Sequence, residues 1–281
     1  MATTEAETTY LSRPENLDEV FTLEQANLTA FPSAMLHFDG AWLTRLSPGN
    51  PARRVNSLNI YDPCDDHDAE NRLARAGERF ADAGIAMHLR WTPLVPKAVD
   101  DLVDAEGWQR YAQTEVWSAP ILNADPEGDA DAAEAADDGA GEIVRLPLVA
   151  WLADFAAVGG TGADKVSETA LAALRASLER VPVELLALSI RDATGEAMAV
   201  LLGVCDGDLI GFFDVATAPK HRRKGLAGRL VRAALAYGAR AGAKKAWLQV
   251  VADNKPARAL YAGFGFAPAY QYHYCRPPGA G

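Results

Sequence analysis

The feature that most restricts the fold is a strand, a basic glycine-containing loop and a helix in direct succession over residues 215–228. Two apolar runs, Ala197–Cys205 and Leu209–Thr217, flank an Asp-Gly turn, which is a strong β-hairpin signal. Pro219 ends strand pairing because it has no N–H to donate. Apolar residues at helical spacing then predict a helix from Gly225 to Gly242. The basic loop therefore lies at a helix N-terminus.

The composition of this loop suits an anion with two phosphate groups. The first amides of a helix have no intrahelical partner, and the macrodipole adds about half a positive charge there. Arg222, Arg223 and Lys224 add formal charge, and Gly225 lets the backbone approach a ligand without a Cβ. A solvated basic turn is the alternative for such a tetrapeptide alone. The segments that follow favour the binding site.

A second motif comes after the next predicted strand, Lys245–Val251. Residues 253–256 read Asp-Asn-Lys-Pro, a helix start with an Asn or Asp cap and Pro in the first turn. The short helix that follows carries Ala257, Leu260 and Tyr261. The two motifs thus follow two successive strands of one predicted sheet.

These motifs resemble the signatures of the GNAT superfamily of acyl-CoA N-acyltransferases. Its pyrophosphate signature, Gln/Arg-x-x-Gly-x-Gly/Ala, is matched by residues 222–227. Its second signature is matched by Asn254, Ala257, Leu260-Tyr261 and Gly265-Phe266. The resemblance covers about residues 143–276 and implies an acyltransferase that uses acetyl-CoA as its cosubstrate.

The resemblance also gives roles to individual residues. Main-chain groups of Val215, Ala216 and Thr217 would pair with the pantetheine arm. The pyrophosphate would be held by the loop and the helix start, which comprise Arg222, Arg223, Lys224, Gly225, Leu226, Ala227 and Gly228. Asn254 would bind the pantetheine side. Tyr261 would contact the cofactor and act as the general acid for the leaving thiolate, with a core aromatic as the alternative.

The general base departs from the pattern of the superfamily. Many relatives carry Glu five residues before the Asn of the second motif, but this chain has Gln249, whose carboxamide cannot accept the proton. Asp214 is the nearest acidic substitute, and a structural hydrogen-bond role for Asp214 or a water relay are the alternatives. Val215 N–H is the expected oxyanion donor. Direct transfer in a ternary complex is still expected.

An acidic segment divides the chain. Residues 123–142 are rich in Ala, Gly and Asp and contain eight carboxylates but no Lys or Arg, so the formal net charge of −11 would be −3 without them. We predict a degenerate GNAT-like domain over residues 1–122, a flexible acidic linker over 123–142 and a catalytic GNAT domain over 143–281. The fold class is then α/β with α+β character, in which each tandem domain has a central mixed β-sheet flanked by helices.

The first half repeats the second in degraded form. Its predicted elements are a helix over 14–30, strands over 34–46 and 55–61, a helix over 69–83, a strand over 86–92, a helix over 96–106 and a strand over 111–118. Aligning Gly107-Trp108 with Gly265-Phe266 places Val103 at the position of Tyr261. The loop over 62–68 is acidic where phosphate needs positive charge, so it should repel coenzyme A.

The first half would either complete the acceptor pocket or bury an apolar face of the second half. Its polar or aromatic candidates for acceptor contact are Trp42, Arg45, Arg53, Arg54 and Asn56. The tyrosines of the predicted last strand would pack in the core or line the acceptor cleft.

The favoured function is an N-acetyltransferase for a small-molecule amine. A catalytically silent acetyl-CoA-binding regulator and a protein or peptide acetyltransferase are the alternatives. The sequence has no basic stripe that would predict a nucleic-acid partner, and it has no run of about 20 apolar residues that would predict a membrane span. The three Cys and five His have no metal-ligand spacing, so no metal is expected. Without a recognisable secretory leader, a cytoplasmic monomer or homodimer is expected.

Overall fold

The structure is a computed structural model that describes residues 16–121, 141–159 and 166–279. We call residues 16–121 the first half and residues 141–279 the second half. The acidic linker expected over 123–142 lies outside the described residues except for its last two positions.

The described ranges contain eleven strands and seven α-helices. The strands are β1 (Met35–Asp39), β2 (Trp42–Leu46), β3 (Ser57–Ile60), β4 (Leu89–Trp91), β5 (Gln109–Pro120), β6 (Glu142–Arg145), β7 (Glu184–Arg191), β8 (Ala197–Asp206), β9 (Leu209–Thr217), β10 (Lys245–Val251) and β11 (Ala267–Arg276). The helices are α1 (Leu17–Ala30), α2 (Ala69–Asp82), α3 (Lys97–Ala105), α4 (Leu148–Val158), α5 (Glu168–Leu178), α6 (Leu226–Arg240) and α7 (Lys255–Ala262). A helix long and apolar enough to cross a membrane is not found in these ranges.

The single strand predicted over residues 34–46 is wrong, because this segment folds as a hairpin. β1 and β2 pair antiparallel, with Asp39 opposite Trp42. Gly40 in the turn has a φ of 61°, a left-handed conformation that favours glycine. A Cβ at Gly40 would also come within 2.6 Å of the Asp65 carboxylate. The Asp-Gly dipeptide at positions 39 and 40 is the turn signal that this prediction overlooked.

All eleven strands form one mixed sheet with the order β1-β2-β3-β4-β11-β5-β10-β9-β8-β7-β6. The β3–β4 and β9–β10 pairs are parallel, and the other neighbours are antiparallel. The predicted mixed α/β fold is therefore confirmed. The last strand of each half lies next to the other half, since β5 pairs with β10 and β11 pairs with β4. This exchange makes the sheet continuous across the two halves.

The helix ends show that the two halves repeat one local design. The turn after α3 closes with a hydrogen bond from Trp108 N to Val103 O, and the turn after α7 closes with one from Phe266 N to Tyr261 O. Gly107 and Gly265 have φ values of 69° and 80° in these turns, as expected for a glycine after a helix C-terminus. The backbone therefore supports the alignment of Val103 with Tyr261.

Buried side chains lie on both faces of the sheet. On one face, α6 packs Leu230, Val231 and Ala234 against the strands of the second half. On the other face, α1 of the first half reaches the second half, where Phe31 meets Phe213 with ring centroids 4.8 Å apart. Burial of each such Leu, Val or Phe side chain stabilises the fold by about 1.5–3 kcal/mol. The halves thus share a core as well as a sheet.

Candidate active site

A cleft opens where two parallel strands separate. β9 and β10 are in register from Leu209 opposite Lys245 to Phe212 opposite Leu248, and both strands continue beyond these pairs. Asp214 lies just past the last pair with a φ of 49°, at a register shift between β8 and β9. A bulge of this kind bends a strand and redirects its residues. The resulting cleft has a volume of about 740 Å³.

The edge of β9 presents backbone amides to this cleft. Ala216 is opposite Val200 of β8, and Ala218 N donates to Met198 O. Successive amides of a strand point to opposite sides in the plane of the sheet, so those of Val215 and Thr217 face away from β8. Both residues were predicted to pair with an extended ligand, and Val215 also lines the cleft.

The basic loop ends at the N-terminus of α6. Gly225 is the N-cap residue with a φ of 76°, and it makes no side-chain capping hydrogen bond. The helical ladder begins with Arg229 N donating to Gly225 O, which leaves the amides of the first helical residues without an intrahelical partner. These residues are Leu226, Ala227 and Gly228.

The charges of the loop are exposed beside this helix start. Arg222, Arg223 and Lys224 are solvent-exposed, and none of them forms an ion pair with any described carboxylate. Arg223 has a φ of 63°, and Arg222 Nε donates to Thr217 O at 3.3 Å. Uncapped amides, left-handed backbone and unpaired cations are the features that anion-binding sites in proteins share, so this loop is the candidate phosphate site.

The second motif lies at the start and end of α7. Asn254 is the N-cap residue, and its Oδ1 accepts a hydrogen bond from Ala257 N at 3.2 Å. Tyr261 is 7% exposed and lines the cleft together with Asn254 and Ala257. Burial raises the pKa of Tyr261 to about 12, so its phenol is protonated at neutral pH.

Asp214 also lines the cleft, and its carboxylate is unusual. Oδ2 is completely buried and has no hydrogen-bond partner among the described residues. Burial raises the pKa of Asp214, and the positive charge of Arg54 opposes this shift. A buried carboxylate without a partner costs free energy, so its presence indicates a ligand or a chemical role. Its place in the cleft makes Asp214 the candidate proton acceptor of the site.

Gln249 is held at both ends of its side chain. Its Nε2 donates to Asn27 Oδ1 at 2.8 Å, and its Oε1 accepts from Tyr272 OH at 2.6 Å. Asn27 lies on α1 of the first half. The carboxamide therefore joins the two halves in the wall of the cleft, where a carboxylate could not donate to Asn27.

A buried ion pair supports the same wall. Arg90 binds Glu24 through two hydrogen bonds of 2.9 and 2.8 Å, and these side chains are 0% and 2% exposed. Glu24 also accepts from Tyr270 OH at 2.6 Å, and Arg90 stacks 3.4 Å above the centre of the Tyr272 ring. The predicted tyrosine face of the last strand thus packs in the core and lines the cleft at once.

The first half supplies one side of the cleft. Its lining residues are Pro51, Ala52, Arg53, Arg54, Ala112 and Thr114. The other acceptor-contact candidates from this half lie elsewhere. Trp42 donates from Nε1 to Asp65 O, Arg45 is buried against Phe31 O and Ser33 Oγ, and Asn56 accepts from Ser47 N.

Comparison with known proteins agrees with this geometry. Residues 163–266 match the family model for the acetyltransferase (GNAT) family. The chain contains a GNAT acetyltransferase-family domain. A 64-residue stretch is 33% identical to an uncharacterized N-acetyltransferase, YobR, of Bacillus subtilis (strain 168), covering 23% of this chain and 26% of that protein. The chain thus spans about a quarter of the length of this curated relative.

Solved structures extend the likeness of the fold to both halves. A GCN5-related N-acetyltransferase from Kribbella flavida has a TM-score of 0.64 at 15% identity, covering 92% of this chain and 95% of that one. A tandem GNAT protein from the clavulanic acid biosynthesis pathway has a TM-score of 0.64 at 17% identity, covering 96% and 90%. The predicted tandem GNAT architecture is therefore confirmed at the level of the fold.

The structure places the predicted residues of the GNAT domain along one path. Asp214, Val215, Asn254 and Tyr261 line the cleft, and Thr217 leads from its edge towards the loop at the start of α6. The bracing of Gln249 by Asn27 escaped prediction from the sequence. An Asn on a helix more than 200 residues away carries no local signal of that contact.

Proposed function

We propose that the protein is an acetyl-CoA-dependent N-acetyltransferase that acetylates a small-molecule amine by direct transfer in a ternary complex. The observation that carries this proposal is the uncapped, cation-flanked N-terminus of α6 next to a cleft that Tyr261 and Asp214 both line. This arrangement combines a phosphate site, a proton donor and a proton acceptor.

The residues present fit acetyl-CoA. The loop and helix start at Arg222–Gly228 would hold the pyrophosphate with amides and positive charge. The outward amides of Val215 and Thr217 would pair with the pantetheine arm, beside Asn254. When bound, acetyl-CoA supplies an activated thioester whose carbonyl carbon can be attacked.

The proton transfers follow from the two buried acids. The acceptor ammonium loses a proton to the Asp214 carboxylate, whose raised pKa makes it a stronger base than an exposed Asp. The free amine then attacks the thioester carbonyl, and Val215 N–H donates to the oxyanion that develops. Tyr261 gives its proton to the departing thiolate as the C–S bond breaks, since its phenol remains protonated up to about pH 12. The second proton of the amine nitrogen is released as the amide forms and restores the phenol.

The walls of the cleft support a small acceptor. The turn at Pro51–Arg54 lies on one side and the tyrosines of β11 on another, so the acceptor side is bounded by both halves. A compact amine fits such a recess better than a folded protein surface does.

We further propose residues 143–281 as the catalytic unit and residues 1–122 as a half that has lost cofactor binding. β5 pairs with β10 and β11 pairs with β4, so the interface that two separate GNAT-like chains would form lies within this one chain. This supports a monomer. We propose the cytoplasm as its location because acetyl-CoA is available there.

A catalytically silent acetyl-CoA-binding protein is the second candidate, favoured by Gln249 at the position where relatives carry Glu. The test is acceptor-dependent release of coenzyme A thiol across a panel of small amines. We expect release with at least one amine. Two results would contradict the proposed small-molecule transferase. One is binding of acetyl-CoA with no thiol release for any amine, and the other is thiol release with lysine peptides alone.

A further inference from the structure

The cleft contains a concentration of positive charge that the proposed transfer chemistry does not use. Arg53 and Arg54 form a short turn of the first half and line the cleft opposite the strands of the GNAT domain. Neither guanidinium forms an ion pair with any carboxylate of the described residues. The chain as a whole has a formal net charge of −11, so this local excess runs against its composition.

A third guanidinium strengthens this field. Arg276 stands 5.5 Å from the centre of the Tyr111 ring, and Arg53 stands 5.2 Å from the same centre. Burial lowers the pKa of the neighbouring His88, and the charges of Arg53 and Arg276 lower it further. The histidine therefore remains neutral at physiological pH and contributes no charge of its own to this side of the cleft.

Aromatic rings hold the two cleft arginines in place. Arg54 lies 4.2 Å from the centre of the Phe31 ring, and Arg53 lies 5.2 Å from the centre of the Tyr274 ring. Stacking on a ring leaves the edge of a guanidinium able to donate hydrogen bonds in its own plane, and Arg53 directs part of that edge to the hydroxyl of Tyr111. A planar carboxylate or a phosphate is the partner that matches such an edge.

The same cleft also contains one negatively charged group. Asp214 is the only carboxylate among the described residues that line it, and its Oδ2 is buried without a partner. The cleft thus contains a cationic side at Arg53 and Arg54 and an anionic point at the bulge of β9. A molecule with both a positive amine and a negative group would satisfy both.

We propose that the acceptor is a small amine that also carries a carboxylate or phosphate group, with Arg53 and Arg54 binding that anionic group while Asp214 receives the amine. This inference rests on the proposed acetyltransferase function and defines its substrate class. Amines with a second positive charge and no anionic group would place like charges against Arg53 and Arg54, and are poor acceptors.

Matched acceptor pairs test this directly. Each pair shares an amine and differs in the anionic group: β-alanine with propylamine, phenylalanine with 2-phenylethylamine, and phosphoethanolamine with ethanolamine. We expect the anionic member of at least one pair to have at least a tenfold higher kcat/KM. The first two pairs report on a carboxylate and the third on a phosphate.

Variants then assign the preference to the arginines. Arg54→Gln and Arg53→Gln should reduce the ratio between paired acceptors towards one, chiefly through KM for the anionic member. Arg180→Gln removes an equal charge from an exposed site outside the cleft and should keep the ratio. A ratio near one in all pairs, or a ratio that both cleft variants leave unchanged, would overturn the inference.

Failure of this inference can be distinguished from failure of the proposed function. Equal turnover of neutral and anionic amines overturns the substrate class and leaves the acetyltransferase standing, whereas absence of acetyl-CoA binding overturns the function. If acetyl-CoA binds and no pair is turned over, calorimetry on the protein saturated with coenzyme A decides. The anionic member must then bind more tightly than its partner, and equal or absent binding contradicts the inference.

Discussion

The two halves place a helix start after equivalent strands, β3 and β9, and build the loop before it in opposite ways. In the second half the cap is Gly225 with a φ of 76°, and the cations before it are exposed. In the first half the cap is Asp68 with a φ of 53°. The left-handed cap is thus retained in both, while the charge beside it is reversed.

The acidic loop of the first half is occupied by its own contacts. Asp65 accepts a hydrogen bond from Ala41 N at 2.7 Å and forms an ion pair of 2.8 Å with Arg72. The hydrogen bond from Arg72 is the main cause that lowers the pKa of Asp65 to about 2. A protein carboxylate and a buried arginine satisfy one another here, so this loop presents carboxylates and no free arginine to a phosphate, although the first amides of α2 are as uncapped as those of α6.

A second difference lies at the end of the short helices. Tyr261 faces the cleft from α7, whereas Val103 at the matching turn of α3 is completely buried in the core. The shared backbone can therefore support a proton donor in one half and plain packing in the other. The fold thus sets where these residues lie, and the side chains set what chemistry each position can support.

The largest expected effect concerns the phosphate loop. Gly225→Glu places a negative charge and a left-handed non-glycine residue at the cap, and acetyl-CoA affinity should fall at least 100-fold. No atom lies within 4 Å of a Cβ built at Gly225, so the new side chain meets no clash and the cost to the fold is limited to the strain of the left-handed backbone. Calorimetry measures the affinity, and circular dichroism checks the fold. Retained affinity would contradict the assignment of this loop.

The matched change in the first half is Asp68→Gly. It should leave the acetyl-CoA affinity and the number of sites unchanged, because Asp65 and Arg72 still close that loop. A second acetyl-CoA site in this variant would show that the cap residue alone causes the difference in acetyl-CoA binding between the halves.

The next effect tests how firmly the halves are joined. Glu24→Gln leaves the guanidinium of Arg90 buried without its carboxylate, which should lower the free energy of unfolding by about 3–5 kcal/mol. Asp101→Asn breaks the exposed pair with Lys97 and should cost less than about 1 kcal/mol. Urea denaturation compares the two variants. Equal losses would mean that the buried pair contributes no more than a surface one.

The next prediction tests whether the phenol of Tyr261, which Val103 lacks at the equivalent position of the first half, acts as the acid. Tyr261→Phe should lower kcat about 100-fold while acetyl-CoA affinity is retained, since only the phenol proton is lost. Tyr237→Phe is the control, because its hydroxyl donates to Glu184 on the surface. Steady-state kinetics across pH measures both variants. An unchanged kcat for Tyr261→Phe at every pH would refute its role as the acid.

The smallest effect concerns Asp214 and its pH dependence. The reactive form is the carboxylate, so activity is present above its folded pKa and is lost as the pH falls through that value. Because burial raises this pKa above the usual 3.8, the acidic limb of kcat should lie above that of an exposed Asp. Asp214→Asn should remove this limb and lower kcat. A wild-type limb that persists in the variant would favour a water relay.

The local motifs of the second half were predictable because each is a short-range signal. The Asp-Gly turn after β8, the glycine cap of α6 and the Asn cap of α7 each lie within a few residues of the structure they specify. The hairpin at Gly40 carried the same kind of signal and could have been found. The acidity of residues 62–68 is the sequence signal behind the prediction that the first half does not bind coenzyme A.

The contacts between the halves had no such signal. The exchange of β5 and β11 depends on which of two similar strands pairs better with β4 and β10, and this is decided by packing over the whole sheet. The bond between Gln249 and Asn27 follows from that exchange and from the docking of α1. Arg53 and Arg54 were candidates by residue type, and only their place in the cleft separated them from Arg45.

The most direct test of the difference between the halves is a calorimetric titration of the whole protein with acetyl-CoA. The account predicts one molecule bound per chain, at the loop before α6, and a weaker affinity as salt concentration rises because the pyrophosphate meets unpaired cations. Binding of two molecules per chain, or no binding at all, would contradict it.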